Sequence, residues 1–312
     1  MSATLPALTV TGVWAIRHLS APGVRRWRPG TGERVRAGPL AVRVLGTGDP
    51  VVVLLHGLAA SGEYFGATFD ELGRNGTLVV PDLLGFGASM RPPGGDPAEY
   101  GTAAHVAALD AMLASLGLGD RPLVIAGHSM GAVLGVRWAA RLPMTRAVVA
   151  FAAPLYLDPR QARAQLRGLG MMAALVTGDG PVPAVLCEWM CRYRRFASWV
   201  TAALHPELPV PIARAVVRHT WASYRGSLTD VILADGWRGA LDRLARAGVP
   251  LLLAEGGTDS VPVHGHAAAL AAASASVTAT THTSGGHDLP LTHPRWCLAQ
   301  LRRALTDVSL PE

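Results

Sequence analysis

The sequence predicts an α/β protein: a mostly parallel, eight-stranded sheet with helices on both faces and a helical block inserted before the last two strands. Three observations carry this. Short apolar runs alternate with longer helix-forming stretches along most of the chain. Those runs are continuously apolar rather than alternating, the pattern of strands covered on both faces. The alternation also stops between about residues 155 and 245, where only helical stretches follow one another.

"GERVRAG" and "LAVRVLG" within 32–46 read as an antiparallel entry to the sheet. "VVVLLHG" (51–57) is a buried strand, rich in β-branched residues and stopped by glycine. "TLVVPDLLG" (77–85) is the next, followed by a helix over 99–117. "PLVIAGHS" (122–129) leads into "MGAVLGVRWAARLP", whose apolar residues fit a helix, and then "RAVVAFAAP" (146–154) is a strand again. The stretches "PAVLCEWMCRYRRFASWVTAAL" and "PIARAVVRHTWASYRG" follow as helices. The expected division is therefore a core of 1–154 with 246–312, and a helical cap of 155–245 whose aromatic residues suit the wall of an apolar pocket. "PLLLAEG" (250–256) returns to the sheet, the alanine-rich 267–275 is helical, and the polar "SVTATTHTS" (276–284) belongs near an edge. A final helix covers 293–306.

Composition narrows the class. Half of the 312 residues are hydrophobic and 16% are charged, which describes a globular chain with a substantial core. No apolar run is long enough to span a bilayer, and the first twenty residues read poorly as a signal peptide, so the expected location is the cytoplasm. Cys187, Cys191 and Cys297 lack the partners of a zinc site and are expected as free thiols; no metal and no cofactor is expected. The net charge of +6 comes from arginines scattered along the chain, with no lysine. Without a basic block, nucleic acid is not the expected partner; a small-molecule substrate is.

"GHSMG" (127–131) sits where the 122–129 strand ends and a helix begins. In a chain with 35 glycines such a pattern arises readily by accident, so its setting decides. A side chain is held up on a strand-to-helix turn only if the neighbouring positions are small, as Gly127, Gly131 and Ala132 are. A serine hydroxyl there needs a base oriented by a carboxylate. His287, in "TSGGHDLPLTHP", follows the last strand; Asp259, in "EGGTDSVP", follows the one before it. Both would lie at the carboxyl ends of the strands, where open α/β sheets hold their ligands.

Together with "HGL" (56–58) and "PDLLGFGAS" (81–89), these segments resemble the α/β-hydrolase superfamily from about 33 to 306. The resemblance implies Ser129 as nucleophile, Asp259 as acid and His287 as base. It also implies an oxyanion hole formed by the backbone N–H groups of Leu58 and Met130. Asp82 and Asp158 also follow strands, but Asp82 falls in the family's structural turn and neither is expected as the triad acid; Asp288 adjoins the base and cannot easily turn to its Nδ1. His56 is expected to brace the oxyanion loop and His293 to start the last helix; Arg192, Arg194 and Arg195 read as a solvated face, with contact to an anionic substrate as the alternative. The expected activity is hydrolysis of a carboxylic ester, thioester or lactone through an acyl-enzyme. Similar proteins that attack with a carboxylate, the haloalkane dehalogenases and epoxide hydrolases, have Asp at the position of Ser129. Similar carbon–carbon bond hydrolases carry a Trp soon after the base, where this chain has Asp288 and Leu289. Carbon–carbon bond hydrolysis of diketone-type substrates, acyl transfer or cyclisation, and a ligand-binding receptor on the same fold are the alternatives.

Overall fold

The structure, a computed structural model, describes residues 4–92, 94–169 and 181–309. Its sheet has eight strands: β1 (Glu33–Ala37), β2 (Leu40–Leu45), β3 (Val51–Leu55), β4 (Thr77–Pro81), β5 (Leu123–His128), β6 (Thr145–Phe151), β7 (Leu251–Gly256) and β8 (Val277–His282). They lie in the order β1-β2-β4-β3-β5-β6-β7-β8. Only β2 pairs antiparallel, with β1 and with β4; β3 through β8 run parallel. The polar β8 is an edge strand, as its composition predicts.

The continuous apolar run of β3 has a simple cause. Its side chains alternate between faces, and both faces are covered. Val51, Val53 and Leu55 pack with Leu109 and Met112 of helix Thr102–Ser115 and with Trp138 of helix Met130–Ala139. Val52 and Leu54 meet Phe65, Phe69 and, on helix Pro294–Ser309, Leu298 and Leu301. Each such side chain contributes about 1.5–3 kcal/mol of burial.

Between β6 and β7 no described residue is in a strand. Helices Pro159–Gly168, Pro181–Arg192, Arg194–Leu204, Val210–Ala215 and Trp221–Gly226 fill the interval, then a π-helical turn at Ser227–Ile232 and helix Trp237–Arg246. The last of these packs Ala240, Leu241 and Leu244 into the sheet-covering layer. Its buried Trp237 donates from Nε1 to the Tyr156 carbonyl at 2.8 Å, closing the two ends of the insertion on each other. Arg137, buried on the helix that follows Ser129, donates to the Thr102 hydroxyl and to the carbonyls of Asp230 (2.8 Å) and Ala234 (3.0 Å). Cys187 and Cys297 are buried, Cys191 is half-buried, and all three are free. Among the described residues no helix is long and apolar enough to cross a membrane.

On β2, the buried Arg43 donates to the Asp70 carboxylate at 2.5 Å and to the carbonyls of Thr31 (2.9 Å) and Phe65 (2.7 Å). Asp70 also accepts from the Thr31 backbone N–H at 2.7 Å and the Thr31 hydroxyl at 2.8 Å. This cluster joins the antiparallel entry to the segment before β4. Removing one partner strands a buried charge, so Arg43→Met is expected to lower stability by about 3–5 kcal/mol in urea unfolding.

Candidate active site

The site begins with a backbone constraint. Ser129 lies between β5 and helix Met130–Ala139 with φ 53° and ψ −119°, a left-handed conformation that few side chains adopt. A Cβ on Gly127 would lie 2.2 Å from the Gly131 carbonyl oxygen, and one on Gly131 would lie 2.2 Å from that of Leu55. The absence of both lets the helix start directly on the strand ends. The Ser129 N–H donates to the Phe151 carbonyl at 2.9 Å, fixing the turn to β6. Strain of this kind costs about 1–3 kcal/mol and persists only where the surroundings impose it.

The same logic brings two distant loops together. A Cβ on Gly256 would lie 2.3 Å from the Gly285 carbonyl oxygen, and one on Gly257 would lie 2.6 Å from that of Thr283. Without them, the loop after β7 lies directly on the loop after β8. The backbone N–H and hydroxyl of Thr258 both donate to the Gly285 carbonyl at 2.9 Å. Across this contact His287 Nδ1 donates to Asp259 Oδ2 at 2.9 Å. The other carboxylate oxygen accepts from the Val261 N–H at 2.9 Å, and the Asp259 side chain is only 1% exposed. Glu255, at the end of β7, is the next carboxyl in the chain. Burial, with the Asp259 charge adding to it, pushes its pKa up to about 7.

His128, the residue before Ser129, donates from Nε2 to the His287 carbonyl at 2.9 Å, and the two rings lie 4.8 Å apart. The structure thus brings the Asp259–His287 pair beside the turn that carries Ser129. Among the described residues no hydrogen bond joins the Ser129 hydroxyl to the His287 ring. Tyr64 stacks on His128 at 4.8 Å and donates to Asp288 Oδ1 at 2.9 Å. Tyr64 was not singled out by sequence reasoning, because nothing local to "SGEYFG" pairs it with a residue 224 positions away. Burial holds the Tyr64 hydroxyl well above its usual pKa and pushes His128 down to about 4. Both groups are neutral near pH 7.

The backbone N–H groups of Leu58 and Met130 flank the turn, and neither donates to an acceptor among the described residues. His56 explains how their loop is held. Its Nδ1 donates to the Gly57 carbonyl at 2.8 Å, and its Nε2 accepts from the Leu83 N–H at 2.9 Å. With both ring nitrogens engaged it is a brace. Asp82 accepts from the N–H groups of Gly62 and Ala88, both at 2.6 Å, and Asp158 caps helix Pro159–Gly168. The half-buried Arg194 donates to the carbonyls of Val217 and His219, whereas Arg192 and Arg195 are exposed. Trp189, Tyr193 and Trp199 of the insertion face solvent rather than a pocket. No group of three or more His, Cys, Asp or Glu that could hold a metal occurs among the described residues.

With this geometry established, comparison with known proteins is informative. A family model described as "Alpha/beta hydrolase family" matches residues 52–300. A haloalkane dehalogenase of Sphingobium indicum is 38% identical over 96 residues, covering 31% of this chain and 32% of that protein. The magnesium-chelatase 30 kDa subunit of Rhodobacter capsulatus is 33% identical over 162 residues, covering 47% and 53% respectively. The matches to these curated relatives thus span between a third and about half of their length. A thermophilic esterase from Thermogutta terrifontis superposes with a TM-score of 0.63 at 22% identity, covering 89% of this chain and all of that one, which shows the shared fold.

The buried His128 gives the site a pH signature. Its folded pKa of about 4 lies below the ordinary 6.5, so between these values the unfolded chain binds more protons. Its contribution to stability is complete above pH 6.5 and falls as the pH drops toward 4, by up to about 1.4 kcal/mol per pH unit. Urea unfolding across this range is expected to show a shallower pH dependence in His128→Gln than in the parent. Gly131→Ala is expected to destabilise by about 3 kcal/mol, since its Cβ meets backbone rather than a movable side chain.

Proposed function

This chain belongs to the alpha/beta hydrolase family, and from that premise we propose that it is a serine hydrolase cleaving a carboxylic ester, thioester or lactone of a small to medium apolar substrate. One observation carries the reading. A serine is held at positive φ at the head of a helix, beside an imidazole whose Nδ1 is bonded to a buried carboxylate. A structural serine has no need of the strain, and a structural histidine has no need of the buried partner.

In the proposed reaction the Ser129 hydroxyl attacks the acyl carbon while His287 Nε2 takes its proton. The hydroxyl and the imidazole come into hydrogen bonding as substrate binds, a tightening common in sites of this kind. Asp259 keeps the ring with Nδ1–H inward and Nε2 free to accept, and it stabilises the imidazolium that forms. The tetrahedral oxyanion is received by the N–H groups of Leu58 and Met130, each contributing about 3 kcal/mol. Collapse of the intermediate releases the alcohol, thiol or ring-opened oxygen, which takes its proton from His287. Water then repeats the sequence on the acyl-enzyme, with His287 again the base. Asp288, occupied by Tyr64, has no part in the proton transfers.

The dehalogenase likeness does not transfer as an activity. Displacement of halide by a carboxylate nucleophile needs Asp at the position where this chain has Ser129. An alcohol presented with a base suits acyl transfer instead.

Ser129→Ala is expected to lower kcat for p-nitrophenyl esters by about 10⁴–10⁶-fold with circular dichroism unchanged, and to abolish labelling by a fluorophosphonate. Asp259→Asn is expected to cost about 10⁴-fold. Full turnover by Ser129→Ala would overturn the assignment.

A further inference from the structure

Three helices outside the proposed site present apolar stripes to solvent. On helix Pro181–Arg192 the stripe is Val182, Val185 and Trp189; on Arg194–Leu204 it is Phe196, Trp199 and Leu204; on Thr4–Ser20 it is Val13, Ile16 and Leu19. These spacings put each set on one helix face. Ile16, Leu19 and Leu204 are about 70% exposed (70%, 69% and 71%), so the stripes are not the edges of a core.

The stripes of the two insertion helices adjoin, and the first helix is fastened beside them by its opposite face, so that its own stripe looks outward. Trp189 and Phe196 meet edge to face, with ring centroids 6.4 Å apart. Trp14 Nε1 donates to the Ala203 carbonyl at 3.0 Å, and the His18 ring reaches the Pro206 carbonyl at 2.9 Å, laying the first helix along the insertion. Scattered apolar residues on a surface are ordinary, but a contiguous ridge of this kind marks a place where something binds.

Charge identifies what binds. The first 32 residues hold four arginines and no acidic residue. Beyond helix Thr4–Ser20 the chain enters a groove of about 610 Å³ lined by Arg25, Arg26, Arg28 and Arg295 with Thr68 and His293. No carboxylate lines it. Arg192 and Arg195 stand exposed beside Tyr193 and Phe196. Glu188 is the one carboxylate on the two insertion helices, against three arginines, Arg192, Arg194 and Arg195. A ridge of aromatic and aliphatic side chains flanked by this excess of arginine matches the two layers of an anionic bilayer surface, acyl chains below and phosphates above.

We propose that this face docks on an anionic lipid bilayer. The apolar stripes enter the acyl boundary, and the arginine groove receives headgroup phosphates. The docked face is tied to the loop that carries His287. Arg26 donates to the Thr292 carbonyl, and Gly23 is packed against Leu291 so closely that a Cβ there would sit 3.3 Å from that side chain. The proposal concerns docking alone and does not depend on Ser129 being a nucleophile.

The test is co-sedimentation of the full chain with large vesicles of phosphatidylglycerol mixed with phosphatidylcholine, against vesicles of phosphatidylcholine alone. Binding to the mixed vesicles is expected, weakening as salt is raised, with little binding to the neutral ones. Replacing Arg25 and Arg295 by Gln together is expected to weaken it roughly thirtyfold, since each contributes about one arginine's attraction near the surface. Ile16→Ser with Leu19→Ser is expected to weaken it as well, with thermal unfolding of both double variants unchanged because all four side chains are exposed. Equal binding to both vesicle types, or no loss in either double variant, overturns the proposal. So does a stable dimer that the Ile16 and Leu19 replacements dissociate, because a second copy would then own the ridge. Binding of inorganic phosphate without binding of vesicles overturns it too, leaving the groove as a site for a free anion.

Discussion

The architecture turns on how closely a helix can approach the strands that carry it. At the end of β5 the first turn of helix Met130–Ala139 lies against the carbonyls of Leu55 and His56, at a separation that no Cβ would tolerate. Everything placed at that end of the sheet follows from this contact. It forces the residue at 129 into positive φ, lifts its side chain clear of the sheet, and leaves the helix's first amides without intrahelical partners. Those amides and the raised hydroxyl then face the same space. A single methyl group at 127 or 131 would separate them.

The second glycine contact, between the loops after β7 and β8, does for Asp259 and His287 what the first does for Ser129. Asp259 and His287 are 28 residues apart in the chain, and their hydrogen bond exists because Gly256 and Gly257 allow the loops to touch. Around this frame the neutral side chains His56, His128 and Tyr64 act as spacers: His56 is bonded at both ring nitrogens, His128 at Nε2 and Tyr64 at its hydroxyl. Asp259 is sheltered from water, and Asp288 is engaged by the Tyr64 hydroxyl.

Much of this was legible in the sequence. Continuous apolar runs identified buried parallel strands because both faces of β3 through β7 are covered, and the polar composition of 276–284 identified the edge. The glycines around 129 and before 259 and 287 gave away the turns, because glycine is the residue that such contacts demand. Three things were not legible. Arg43 looks like an ordinary exposed strand residue, and only its encounter with Asp70 and the Thr31 and Phe65 carbonyls makes it a buried anchor. Tyr64 meets Asp288 through tertiary packing that no local pattern announces. The aromatic residues of the insertion suggested a pocket wall, yet several are on the outer surface, since helical spacing reveals which residues share a face but not which way the face looks.

The fastening at Arg137 has a consequence for how such a molecule diversifies. One guanidinium, rooted in the helix behind Ser129, grips the carbonyls of Asp230 and Ala234, and Trp237 just beyond them bonds to Tyr156, drawing the two junctions together. The inserted helices are thus hung from a hinge post at their base, and the span between the two junctions is at liberty to vary in length and character. A change confined to that span leaves both anchorages, and the strand ends beneath them, as they are.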